Sequence, residues 1–272
     1  MSDSCRTRYP VLMIHGAGIR DVRWPAFWGR IPRILRAHGA QVFFGNQDSW
    51  GSIETNAEMI AARIREILRE TGAEKVNIIA HSKGGLDVRR AAAMECCAGK
   101  IASITTMGTP HRGMKTVDRL FRLPGFVWDT VTFFMDGIAK LAGDRKPDFR
   151  QACAGFTTQR MARFNAQYPD RPEICYRSYA ALMRGPASDL SFSASHALVR
   201  RIEGPNDGLI TVESALRGAD AHVLCGTTGK GISHMDLTDL RKTRIPCRDG
   251  DKDTDICAVY VEIVEDLKKR GL

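Results

Sequence analysis

Apolar residues in this chain alternate between short strand-like runs and helical stripes. Tyr9 to Ile14 is a strand candidate that ends in His15-Gly16-Ala17-Gly18. Trp24 to His38 carries a helical pattern, and Gly39 is placed to stop it. Gln41 to Phe44 is the next strand, and Thr55-Asn56-Ala57-Glu58 has the form of a helix capping box. The helix predicted there sets Ile60, Ile64, Ile67 and Leu68 on one face and ends at Thr71-Gly72. Strands follow over Val76 to Ile79, Ile101 to Met107, Ile174 to Ala181 and Ala221 to Cys225. A final helix shows Val259, Ile263, Val264 and Leu267 as its apolar stripe.

Strands alternating with helices predict an α/β protein with a mainly parallel central sheet and helices on both faces. The reactive crevice of such a sheet lies beyond the carboxyl ends of its strands. The rhythm breaks between Met114 and Phe156, where Leu120, Phe121, Phe126, Trp128, Phe133 and Phe134 crowd together among Pro124, Gly125 and Gly143. Short helices inserted over the crevice, as a lid or the wall of an acyl pocket, account for that segment. No repeat or low-complexity linker divides the 272 residues, so one domain with an insertion at about 115–160 is expected.

Composition narrows the picture only slightly. The hydrophobic fraction of 43% supplies a sizeable core, and no apolar run reaches the roughly 20 residues that span a bilayer. Residues 1–6 contain no apolar signal core, which makes a cytoplasmic location the expectation. The eight cysteines are scattered and form no CxxC pair, a poor disulfide framework and a poor zinc site. A net charge of +9 comes without a nucleic-acid motif, so it points to a basic solvated surface, with attraction to anionic substrates or membranes as the lesser reading.

Chemistry enters at Ala80-His81-Ser82-Lys83-Gly84, which joins a strand to an alanine-rich helix. A serine between small residues at such a junction fits a nucleophile elbow, with Ala80 in place of the usual first glycine. The base must follow an acid that itself follows the serine. That order disfavours His15, His38, His81, His111 and His196, and His222 falls inside a predicted strand. His234, in a loop after the last predicted strand, is the candidate base. Asp207, in Asn206-Asp207-Gly208, is the candidate acid, although Asn-Asp-Gly is also ordinary surface-turn chemistry. Asp236 and Asp239 stand too close behind His234 to orient it easily and are candidates for stabilising its loop. The backbone N–H groups of Ala17 and Lys83 are the candidate oxyanion hole, and the Lys83 side chain is expected in solvent.

Five segments together carry a resemblance to a known family. They are Tyr9 to Gly16, Gly72 to Leu86, Ile104 to Gly113, Asn206 to Ala215 and Ile232 to Asp236. In these the chain resembles bacterial lipases and esterases of the α/β-hydrolase superfamily, near the true lipases of pseudomonads and their clostridial relatives. The resemblance implies the α/β-hydrolase fold, a helical lid, a Ser82–Asp207–His234 triad and hydrolysis of a small-molecule or lipid ester, with transient contact at a lipid interface. An acyltransferase or thioesterase would use the same triad. No cofactor is implied for the chemistry. Many members hold a structural calcium beside the histidine loop, for which Asp236 matches one ligand. Leu240, where another is expected, has no side-chain oxygen, and Asp189 is a loosely aligned second carboxylate. No cysteine follows Asp207 at the place of the disulfide that secreted members carry.

Overall fold

The computed structural model describes residues 3–21, 26–227 and 229–272. Among them, eight strands form one sheet: β1 (Val11–Ile14), β2 (Val42–Phe44), β3 (Val76–His81), β4 (Ile101–Met107), β5 (Cys175–Leu182), β6 (Ala221–Gly226), β7 (Pro246–Asp249) and β8 (Lys252–Asp255). Their spatial order is β2-β1-β3-β4-β5-β6-β7-β8. The pairs from β2 to β6 are parallel, and β7 and β8 are added antiparallel. The helices are α1 (Ile31–Ala37), α2 (Ile53–Thr71), α3 (Lys83–Ala92), α4 (Lys115–Leu120), α5 (Gly125–Leu141), α6 (Phe149–Ala154), α7 (Thr158–Gln167), α8 (Ser193–Ile202), α9 (Val212–Ala215) and α10 (Ile256–Lys269).

The twofold alternation of strand side chains divides the core into two layers. Val11 and Met13 of β1 point with Ile79 and Met107 into a cluster closed by Ile31 and Leu35 of α1 and Tyr260, Ile263 and Val264 of α10. Leu12 and Ile14 point the other way, with Ile78, Ala80 and Ile104, against Ile60, Ile64 and Ile67 of α2 and Val88 of α3. Each such buried aliphatic side chain contributes roughly 1.5–3 kcal/mol. The predicted apolar stripe of α2 is thus its buried face.

Register sets the site. Ile14 pairs with Ala80, and His81 pairs with Met107, so β1, β3 and β4 end side by side. The loops that follow them meet at one edge.

Several elements depart from the sequence reading. The predicted Trp24–His38 helix starts at Ile31, and its first two residues, 24 and 25, lie outside the described residues. Gly29 has φ +48°, and a Cβ there would lie 1.9 Å from the Asp239 carbonyl oxygen, so the chain turns against that loop before helix begins at Pro32's first turn. The cap of α2 is Ser52, whose Oγ accepts from Thr55 N at 3.1 Å, in place of the predicted Thr55 box. The insertion is not built of short helices alone. With Pro124-Gly125 at its start and Gly143 beyond its end, α5 runs for 17 residues. Finally, β6 is not the last strand. The β7–β8 hairpin follows it in a charged stretch, Pro-Cys-Arg-Asp-Gly-Asp-Lys-Asp-Thr-Asp, whose Asp249-Gly250 was its one turn signal.

The part of the insertion that carries α5 is tied down on both sides. Thr116 donates to Glu203 through N and Oγ1, at 2.7 and 2.6 Å. The buried Asp144 carboxylate accepts Ser49 N, Ser49 Oγ and Trp50 N at 2.9, 3.0 and 2.9 Å. Between these ties α5 leaves Phe126, Phe133, Phe134, Ile138 and Leu141 exposed. No described helix is long and apolar enough to cross a membrane.

Candidate active site

Ser82 sits between β3 and α3 with φ +52° and ψ −128°, in the left-handed region that a side chain occupies only under strain. Three hydrogen bonds hold it there. Its N donates to Met107 O at 2.9 Å, and its carbonyl accepts from Thr109 Oγ1 at 2.8 Å and Gly85 N at 3.1 Å. A Cβ on Gly84 would lie 2.4 Å from His15 O, so only glycine lets α3 start this close to the end of β1. Ala80 is accepted on the other side because its methyl enters the α2–α3 core layer.

The structure brings together the three residues singled out from the sequence. His234 Nε2 lies 2.9 Å from Ser82 Oγ, and His234 Nδ1 lies 2.7 Å from Asp207 Oδ2. An ionised carboxylate only accepts, so Nδ1 carries the imidazole proton and Nε2 is left to accept from the serine hydroxyl. Asp207 is buried, and its other oxygen accepts Leu209 N and Ile210 N at 3.0 and 2.7 Å. The Asn-Asp-Gly turn therefore fixes the carboxylate inward. Its backbone also carries the histidine, because His234 N donates to Asp207 O at 2.7 Å.

His81, set aside as a base, packs on His234 with ring centroids 4.5 Å apart. Its Nε2 lies 3.0 Å from the His234 carbonyl oxygen and so carries the proton. Burial pushes its pKa well below the ordinary histidine value, reinforced by the electrostatic cost of a second cation beside the His234 ring, and His81 is neutral. Nothing in a one-residue motif signalled this contact with a loop 153 positions away.

Lys83 overturns the expectation of a solvated side chain. It is 1% exposed, and its ammonium lies 2.8 Å from both oxygens of Asp87, one turn along α3. Burial pushes the Asp87 carboxyl up, and the Lys83 charge opposes that shift. Asn56 Nδ2 completes the group by donating to Asp87 Oδ2 at 2.8 Å and to Asp48 O at 2.7 Å. The i,i+4 spacing of Lys83 and Asp87 was a sequence signal for the pair, but an exposed helix face gives the same spacing. Ala17, on the loop after β1, stands beside Gly16, where a Cβ would approach Ser82 Cβ to 2.8 Å. The loop after β1 and the start of α3 thus flank the serine from two sides.

The other sequence candidates have structural partners. Asp239 takes a two-pronged contact from Arg30, Nε to Oδ2 at 2.9 Å and Nη2 to Oδ1 at 2.7 Å. Asp236 Oδ2 accepts Ser233 N at 2.9 Å, next to the histidine. His222 lies between Asp220 and Asp249 at the far side of the sheet, at 2.8 and 3.1 Å. All eight cysteines are unpaired.

Residues 9–240 match the family described as alpha/beta hydrolase fold. A triacylglycerol lipase of Pseudarthrobacter phenanthrenivorans is 30% identical over 204 residues, a match covering 69% of this chain and 63% of the lipase. One from Pseudomonas fragi is 34% identical over 180 residues, covering 62% of this chain and 60% of that protein. The matches thus span about three fifths of these relatives' length. Among solved structures, Staphylococcus hyicus lipase superposes with a TM-score of 0.67 at 15% identity, covering 97% of each chain, a likeness of fold alone.

Proposed function

The chain belongs to the α/β hydrolase fold family, and from that premise we propose that it is a serine carboxylic-ester hydrolase of the lipase and esterase kind. The observation that carries this reading is the unbroken hydrogen-bonded run Ser82–His234–Asp207 on a strained elbow.

Ser82 Oγ attacks the ester carbonyl carbon while His234 Nε2 takes the hydroxyl proton. Asp207 keeps the imidazole in the accepting tautomer and stabilises the imidazolium. The backbone N–H groups of Ala17 and Lys83 receive the oxyanion, each worth roughly 3–4 kcal/mol in the transition state. As the tetrahedral intermediate collapses, His234 passes its proton to the departing alkoxide, and the alcohol leaves an acyl-Ser82. Water, deprotonated by His234, then attacks the acyl carbon, and the same steps return the free serine and release the carboxylic acid.

The acyl group in this reading is a lipid chain or a short apolar acid, and the exposed Phe126, Phe133 and Phe134 of α5 support contact with a lipid interface. Ser82→Ala tests the reading. The variant should fold as the parent does by circular dichroism and lose turnover of a soluble chromogenic ester by at least about 10³-fold. Retained turnover in purified variant would sink the assignment.

A further inference from the structure

The side of the His234 loop facing Asp189 holds a cation made of protein. Arg241 Nη2 contacts Asp189 Oδ2 and lies 3.4 Å from Ser233 Oγ, while its Nη1 lies 3.6 Å from Asp236 Oδ1. Asp189 and Asp236 are both buried, although Arg241 itself is partly exposed. The remaining carboxylate oxygens are spoken for: Asp189 Oδ1 accepts Ser191 N at 3.0 Å, and Asp236 Oδ2 accepts Ser233 N at 2.9 Å.

These two carboxylates are the ones the family resemblance offers to a structural calcium. The donor set does not fit that ion. Calcium takes six to eight oxygens at about 2.3–2.6 Å. Here Leu240 contributes none from its side chain, and a guanidinium already faces the two open carboxylate oxygens. A fixed positive charge at contact distance opposes a divalent cation.

We infer that the Arg241 guanidinium does the work of a calcium ion in this chain, clamping Asp189 to Asp236 and so holding the backbone at Ser233 and His234. Arg241 is a positioning residue. It acts on His234 through Asp236, whose carboxylate fixes the Ser233 N–H, and on the segment before α8 through Asp189. A planar fork suits two carboxylates at once, which the single ammonium of lysine does not. The kinetic part of this inference rests on the esterase reading; the stability part does not.

The test is scanning calorimetry of wild-type protein in excess EDTA and in millimolar calcium, followed by steady-state ester hydrolysis and calorimetry of R241A, R241K, D189N and R241A/D189N. The clamp predicts a wild-type Tm that is the same in EDTA and in calcium. It predicts that R241A lowers Tm and lowers kcat about tenfold with KM unchanged, that R241K recovers part of both, and that the double variant is no worse than R241A. If R241A does not fold, R241K and D189N carry the comparison. A wild-type Tm that falls in EDTA and returns with calcium overturns the inference. So do a Tm and kcat in R241A equal to wild type, or losses in D189N and R241A that simply add. Lack of ester turnover in wild-type protein contradicts the functional reading alone, since the calorimetric arms need no substrate.

Discussion

At the scale of single residues, the Asp207 carboxylate spends one oxygen on the turn that holds it and the other on His234 Nδ1. Asp207→Asn keeps the shape but offers Nδ1 an amide, which leaves the imidazole free to take the wrong tautomer. We expect kcat for a soluble ester to fall about 10³–10⁴-fold with little change in KM. A smaller loss than tenfold in steady-state kinetics would remove Asp207 from the mechanism. The elbow, the Asn-Asp-Gly turn and the histidine loop were legible in the sequence because each depends on local backbone chemistry and on order along the chain. The burial of Lys83 lies beyond any local pattern, because its partner Asp87 is held by Asn56 of α2, which is itself bound to the loop at Asp48.

At the scale of elements, α3 joins the serine's neighbour to a buried ion pair. Asp87→Asn strands the Lys83 ammonium in the interior and should cost about 3–5 kcal/mol in a denaturant titration. Replacing both, as Lys83→Met with Asp87→Leu, should cost far less, because the desolvation of two charges disappears with the pair. Equal losses in the single and double variants would contradict the account. On α5 the stripe through Phe133 and Phe134 faces outward. Phe133→Ser with Phe134→Ser should leave hydrolysis of a soluble ester unchanged and reduce the rate on emulsified ester severalfold. Equal rates on the emulsion would exclude this face from interface contact. Periodicity located α2 and α10 well, since their apolar stripes are the faces they bury. It missed the β7–β8 hairpin, where charged residues pair at the sheet edge, and it placed the start of α1 too early because the turn at Gly29 is imposed by Asp239.

At the scale of the whole molecule, two buried histidines couple stability to pH. Burial lowers His81 well below its ordinary value, with the electrostatic interaction with the His234 ring as a lesser cause; burial does the same to His111, with the charges of Arg89, Arg217 and Arg112 behind it. The unfolded chain therefore binds protons that the folded chain refuses. Stability is full above the unfolded histidine pKa of about 6.5 and is lost as pH falls, by up to about 1.4 kcal/mol per pH unit for each histidine. Denaturant midpoints taken between about pH 7.5 and 5.5 should fall in wild type. They should fall less steeply in His111→Gln, and identical slopes would refute the assignment. The order β2-β1-β3-β4-β5-β6-β7-β8 could not be read from the sequence, since strand pairing is settled by contacts across the chain. The parallel core could, because helices alternate with strands. That sheet presents one serine at the meeting of three strand ends. Whether Ser82 is the nucleophile is read by mass spectrometry after reaction with an alkyl p-nitrophenyl phosphonate. One phosphonyl group per chain is expected, carried on Ser82, in proportion to lost ester turnover, with no label on Ser82→Ala. Full turnover with Ser82 modified, or inactivation with the label elsewhere, would contradict it.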